Sequence, residues 1–254
     1  MNKISTIIIA KNAENLLADC FDSISFSDEI ILIDSGSTDR TKEIAERFKA
    51  KVYELKTDDF SEIRNLGLKK ATGEFVLYID VDERVDTVLE KEIINIKSKK
   101  INDIQDSFLI QRKNYYLGSF EWPKVEKILR FFKRDKLKGW KGKLHESPIV
   151  EGESGTLNGY LLHFTHRDLA SMLDKTIKWS KTEAELRFNS NHPKMSWWRF
   201  PRVMITTFLD YYIRQGGYKV GTAGLVESMY QAFSIFITYA RLWELQQKKS
   251  NENN

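Results

Sequence analysis

Residues 76–85 read VLYIDVDERV, an apolar and β-branched run followed at once by Asp80, Asp82, Glu83 and Arg84. A run of this kind is a strand buried on both faces. Crowding three carboxylates at its end is costly, because like charges repel and each carboxylate resists leaving water. A divalent cation is the obvious group to offset that repulsion, so the end of this strand is where a ligand is expected.

The chain upstream keeps the same rhythm. ISTIIIA (4–10), EIILID (29–34), KVYEL (51–55) and EFVLYID (74–80) are further runs of strand length. NAENLLADCFDSI, STDRTKEIAERFKA and FSEIRNLGLKKATG lie between them with helical spacing of apolar residues. Ile44, Ala45 and Phe48 share one helical face, as do Ile63, Leu66 and Gly67. Strand–helix alternation of this kind predicts βαβ units and a parallel sheet. Ligands of such sheets bind beyond the carboxyl ends of the strands.

After residue 84 the rhythm changes. RVDTVLEKEIINIKSKK reads as a helix, and SFLIQRKNYYLG and EKILRFFKR as strands of a mixed extension. KGWKGKLHESPIVEGESG reads as a Gly- and Lys-rich loop region, and a polar helix is expected from Asp168 to Phe188. The expected division is a catalytic domain over 1–166, with halves 1–83 and 84–166, and a helical extension over 167–254.

Composition sets outer bounds. A hydrophobic content of 41% in 254 residues supplies a core, and a net charge of +4 is too mild to suggest a nucleic-acid partner. The single cysteine, Cys20, excludes an intrachain disulfide and a Cys-rich zinc site; beside Phe21 it reads as core packing. The N-terminal apolar run is too short for a signal peptide and is interrupted by Lys11 and Glu14, so a cytoplasmic location is expected.

Polar residues follow each strand. Asn12 and Glu14 come after the first. Asp34 and Ser35 end the second, with Gly36 to permit a tight turn and Ser37 or Thr38 to cap the next helix. Asp80 and Asp82 end the fourth, and Arg64 on the preceding helix can meet a phosphate bidentately. A D-x-D pair alone is usually a solvated turn. The ordered combination at strand ends instead suits a nucleoside diphosphate with a hard cation, Mg²⁺ or Mn²⁺.

On TIIIAKNAEN, EIILIDSGSTDRT, FSEIRNLGLKKATGEFVLYIDVDE and the later LHES, residues 4–83 resemble the nucleotide-binding half of a family 2, GT-A-type glycosyltransferase. KLHES, LLHFTHRDLASMLDK and the closing YARLWEL resemble, more loosely, the lipopolysaccharide core glucosyltransferases. The resemblance implies a GT-A fold: a Rossmann-like, mostly parallel α/β sheet flanked by helices, with a C-terminal helical extension. It also implies inverting, metal-dependent transfer of a sugar, glucose by preference, from a UDP-sugar to a lipid-linked acceptor such as the lipopolysaccharide inner core. Asp34 would then contact uracil, with Asn12, Glu14 and Ser35 near the base and ribose. Arg64 would lie near the diphosphate, Asp80 at ribose or metal, and Asp82 would be the principal ligand of Mn²⁺ or Mg²⁺.

An inverting transfer needs a base for the acceptor hydroxyl. Family members often use the Asp of a Glu-Asp pair, which this chain lacks after residue 83; Glu146 is the first candidate and His145 the second. His163, with His166 as the alternative, would complete the metal shell. The chain also lacks the Q-x-x-R-W motif of processive synthases, which favours transfer of a single sugar.

From Trp197 onward aromatic side chains interleave with Arg199, Arg202 and Arg214. Such a mixture suits an anionic membrane surface; packed amphipathic helices, with a homodimer interface, are the other reading. A nucleotidyltransferase would carry a Gly-rich loop after the first strand, where this chain has AKNAEN. A non-enzymatic membrane scaffold would not need Asp34, Arg64, Asp80 and Asp82 intact. A different glycan or protein acceptor is compatible with every motif.

Overall fold

The computed structural model describes residues 1–143, 146–165 and 168–252. Along the chain run β1 (Ile4–Ala10), α1 (Leu17–Asp22), β2 (Glu29–Asp34), α2 (Thr41–Arg47), β3 (Lys51–Glu54), α3 (Phe60–Lys70), β4 (Phe75–Asp80), β5 (Glu83–Val85) and α4 (Thr87–Ser98). Then follow β6 (Ser107–Tyr116), β7 (Phe120–Glu121), β8 (Glu126–Lys133), β9 (Leu137–Lys141), β10 (Ser147–Val150), β11 (Ser154–Phe164), α5 (Leu169–Asn189), α6 (Arg199–Leu209) and α7 (Gly221–Glu252). Two compact units divide them: Met1–Lys113 with Glu126–His163, and Asn114–Val125 with Phe164–Asn254.

In the first unit the main sheet has the strand order β3-β2-β1-β4-β8-β6-β11-β5. It is parallel from β3 to β4, as the βαβ rhythm predicts. It turns antiparallel at β8, where Leu77 pairs with Phe131, and again between β6 and β8 and between β11 and β5. Alternation along the strands builds a core on each face. Ile4, Ile8, Leu32, Phe75, Leu77 and Ile79 pack with Leu17, Ala45 and Leu89 from the helices on one side. Ile7, Ile9, Ile31, Ile33, Val76 and Tyr78 pack with Ile63, Phe132 and Trp140 on the other. Because both faces are covered, these strands read as unbroken apolar runs. Cys20 lies in the first of these cores, where burial pushes its thiol up to about 12.

Three details depart from the sequence reading. The expected loop region holds an antiparallel hairpin, in which β9 pairs with β10 from Lys141↔Ser147. Short β5 was not anticipated. Ser37 and Thr38 do not cap α2; the Asp39 carboxylate accepts the Thr41 N–H at 3.0 Å instead.

In the second unit α5 begins in a capping box between Asp168 and Ser171. Both α5 and α6 pack on α7, through Thr176 hydrogen-bonded to Tyr230 at 2.6 Å and Phe200 edge-on to Phe236. Trp122 is buried in this unit and donates to Gln215 at 3.2 Å. Among the described residues no helix is long and apolar enough to cross a membrane.

Candidate functional site

Strand register places the candidates on one rim of the sheet. Ala10 pairs with Asp34 on one side of β1, and Ile9 with Asp80 on the other. Asp34 and Asp80 therefore end strands two spacings apart, about 10 Å across the sheet.

At β2 the chain folds back on its own carboxylate. Asp34 is buried and accepts the Ser37 N–H at 3.0 Å, the Gly36 N–H at 3.3 Å and the Ser37 hydroxyl. Gly36 supports this turn at φ +98°. Ser37 also accepts the Asn12 N–H at 2.9 Å, while Asn12 Oδ1 takes the Thr38 N–H at 2.8 Å. Asn12 sits in the left-handed region at φ +50°, which its short amide side chain tolerates. Glu14 accepts from the backbone and Nε of Arg40, both at 3.2 Å, and the Ser35 hydroxyl turns back to the Ala10 carbonyl at 3.3 Å. Asn12, Glu14, Asp34 and Ser35 thus form one linked loop pair.

The second cluster centres on Arg64. Helix α3 lies so close to β1 that a Cβ on Gly67 would sit 2.4 Å from Ile7 Cγ2. One turn earlier, Arg64 is held with only 3% of its side chain exposed. Its Nε donates to Glu146 Oε1 at 2.8 Å and its Nη2 to Asp80 Oδ1 at 3.0 Å. The guanidinium lies over the rings of Trp140 and Tyr78, at 4.9 and 5.6 Å from their centroids. The structure thereby brings together Arg64, Asp80 and Glu146, which stand far apart in sequence.

Arg130, which sequence reasoning missed, completes the cluster by donating from Nη2 to Asp80 Oδ2 at 2.8 Å. The available signal was a single charge inside the apolar strand ILRFF. Burial alone would raise the Asp80 carboxyl; the charges of Arg130 and then Arg64 overcome it and hold Asp80 well below the usual carboxylate range. Burial likewise disfavours the Arg64 cation, and Asp80 and Glu146 more than compensate. Nη1 of both arginines is buried with no hydrogen-bond partner.

The neighbouring carboxylates are offset separately. Glu83 is fully buried, accepts the Asp80 N–H at 2.9 Å and meets Arg112 Nη1 at 3.3 Å. Arg112 also donates from Nε to Glu126 at 2.9 Å. Strand β11 sets His163 opposite Glu83, and His163 Nε2 lies 3.3 Å from Asp82 Oδ2. Much of the repulsion posed by residues 80–83 is thus relieved by arginines. As a donor set for a hard cation, Asp82 and His163 supply one carboxylate and one imidazole, while both Asp80 oxygens are engaged by guanidinium groups. Among the described residues no three His, Cys, Asp or Glu side chains are grouped as a metal site. His145 and His166 lie outside the described residues.

Beyond the geometry, the family model described as Glycosyl transferase family 2 matches residues 5–150. The chain belongs to that family. This family 2 glycosyltransferase has the α/β GT-A-type architecture expected of it, with a helical C-terminal part, but its sheet is mixed rather than mostly parallel, because β8, β6, β11 and β5 join it by antiparallel pairing. It is 26% identical over 263 residues to the lipopolysaccharide core biosynthesis glycosyltransferase LpsC of Rhizobium meliloti (strain 1021), covering 98% of this chain and 95% of that one. A glycosyltransferase of Rickettsia typhi is 28% identical over 265 residues, covering 99% and 90%. Among solved structures, S. aureus TarS 1-349 in complex with UDP aligns over 97% of this chain and 92% of that chain, with 17% identity and a TM-score of 0.47.

Proposed function

We propose that this glycosyltransferase moves a single sugar, glucose in the first instance, from a UDP-sugar to a lipid-linked acceptor of the lipopolysaccharide inner-core type, with inversion at the anomeric carbon. The observation that carries the reading is Arg64 joined to both Asp80 and Glu146 at the carboxyl ends of the strands. The near full-length similarity to LpsC supports the acceptor class. Residues 1–83 would form the nucleotide half, 84–166 the acceptor half and 167–254 an extension at the cytoplasmic membrane face.

In this reading the loop pair of Asn12, Glu14, Asp34 and Ser35 forms the wall against base and ribose. Arg64 and Arg130 set positive charge beside the diphosphate. The acceptor oxygen bonds to the anomeric carbon and its proton passes to the Glu146 carboxylate, with His145 as the second candidate. The anomeric C–O bond to UDP breaks, and its electron pair leaves with the diphosphate. In the same reading Asp82 and His163 would hold Mn²⁺ or Mg²⁺, which would supply positive charge against the leaving diphosphate, with Asp80 nearby.

The test is calorimetric titration with UDP, with and without Mn²⁺, followed by incubation with UDP-glucose and an inner-core acceptor. Metal-dependent UDP binding, UDP release and a new glycosidic linkage are expected, with turnover abolished in Asp82→Asn. Near-normal turnover in that variant would remove the metal assignment, and release of pyrophosphate would mark a nucleotidyltransferase.

A further inference from the structure

Helix α6 continues into a π-helical turn at Asp210–Arg214. Over this stretch Trp198, Arg202, Ile205, Leu209 and Ile213 recur at intervals of four, three, four and four residues, which places them on one helical face. That face is open to solvent: Ile205 is 58% exposed and Ile213 59%, with Leu209 and Trp198 above two-fifths. Another side of the helix packs Phe200 against Phe236 of α7. A helix that is apolar outward as well as inward calls for a second covering.

The charges say what kind. Helix α6 contains no acidic residue, and the guanidinium groups of Arg199 and Arg202 lie 5.3 and 5.8 Å from the Trp198 ring centroid. Trp197 beside them is 82% exposed. Large apolar side chains, with tryptophans and arginines gathered at one end of the face, match the boundary between headgroups and acyl chains of an anionic bilayer. We propose that the α6 face seats on an anionic lipid surface, with the helix lying in the plane of the interface. The proposal deepens the reading of a lipid-linked acceptor, because it gives the enzyme a seat on the membrane that holds such an acceptor.

The test is flotation of the full chain with vesicles of phosphatidylcholine alone, or of phosphatidylcholine and phosphatidylglycerol in similar amounts. These vesicles carry no saccharide, so the result is independent of whether the sugar-transfer reading holds. Binding to the anionic vesicles is expected, weakened by salt. Ile205→Asp with Leu209→Asp should reduce it roughly tenfold or more, and Arg202→Gln about fivefold. Thermal unfolding and UDP binding serve as controls and should not change, since these side chains face solvent. The proposal is overturned if the wild-type chain stays unbound, if it floats equally with both vesicles, or if the double variant floats as well as wild type. A dimer in solution dissolved by the double variant would assign the face to a second copy instead.

Discussion

Arg130 Nη2 lies 2.8 Å from Asp80 Oδ2, taking the carboxylate oxygen that Arg64 leaves. One carboxylate therefore ties β8 to the end of β4 and to α3, and through Arg64 the link extends to Glu146. Two cations and two anions in this chain balance, which is how so much charge is held at the edge of the core.

Removing Arg130 leaves Asp80 with one guanidinium in a site that burial makes costly for an anion. Arg130→Ala is expected to lower unfolding free energy by about 3 kcal/mol in urea titration. It should also weaken UDP binding, because a positive charge beside the proposed diphosphate site is lost. Arg130→Lys restores the charge without the forked geometry. It should recover part of the stability and less of the nucleotide affinity. Equal recovery of both would show that Arg130 acts on the fold alone.

Glu146 separates a proton acceptor from a strut. Glu146→Gln keeps an oxygen able to accept from Arg64 Nε but cannot take the acceptor's proton. If Glu146 is the base, turnover falls by about 10²-fold or more while UDP affinity stays within a few-fold. A loss of nucleotide affinity with turnover largely kept would assign Glu146 to holding Arg64. Single-turnover kinetics alongside UDP titration reads both.

Much of the first half was legible because its strands are buried on both faces. ISTIIIA and EIILID are β1 and β2 residue for residue. The hairpin β9–β10 was not legible: Gly139 at φ +145° and Gly142 at φ +102° read as loop residues, and Trp140, which covers Arg64, carries no periodic signal. Asp80, Arg64 and Glu146 were each singled out, but their contact was not, since a hydrogen bond across 82 residues leaves no local pattern. Arg130 was hidden for the opposite reason. In a strand a lone arginine looks like an edge residue, and only the register of β8 against β4 brings it to Asp80.

Acid should loosen the opposite end of the sheet first. Glu29 receives bonds from Lys51 at 2.7 Å, the Thr72 N–H at 2.9 Å and the Ser5 hydroxyl. Burial pushes its carboxyl up, but these donors outweigh it and lower it from 4.5 to about 2. A carboxyl depressed on folding contributes stability that is fully present above its ordinary value and is lost as pH falls through the folded one. The contribution is roughly 2 kcal/mol after allowance for the exposed Lys51. Urea unfolding between pH 5 and about 2 should therefore show falling stability, with a shallower slope in Glu29→Gln. Identical slopes would place the acid sensitivity elsewhere.

Gly67 sets how closely α3, and with it Arg64, approaches the sheet. A Cβ there would meet Ile7 Cγ2 at 2.4 Å, and Ile7 is fully buried with that methyl fixed directly on its branched Cβ. Alanine would add up to about 1 kcal/mol of helix propensity at this position. Overpacking a closed core costs about 1–3 kcal/mol. The clash wins, so Gly67→Ala should lower the Tm by several degrees despite the better helix former. Displacing α3 also shifts the Arg64 guanidinium relative to Asp80 and Glu146, so turnover should fall more than the stability loss alone explains. Combining Gly67→Ala with Ile7→Val does not help, because valine keeps the branch that clashes; Ile7→Ala clears it and should rescue turnover while lowering stability further. Failure of Ile7→Ala to restore any turnover would mean that the helix–sheet distance does not set the position of Arg64.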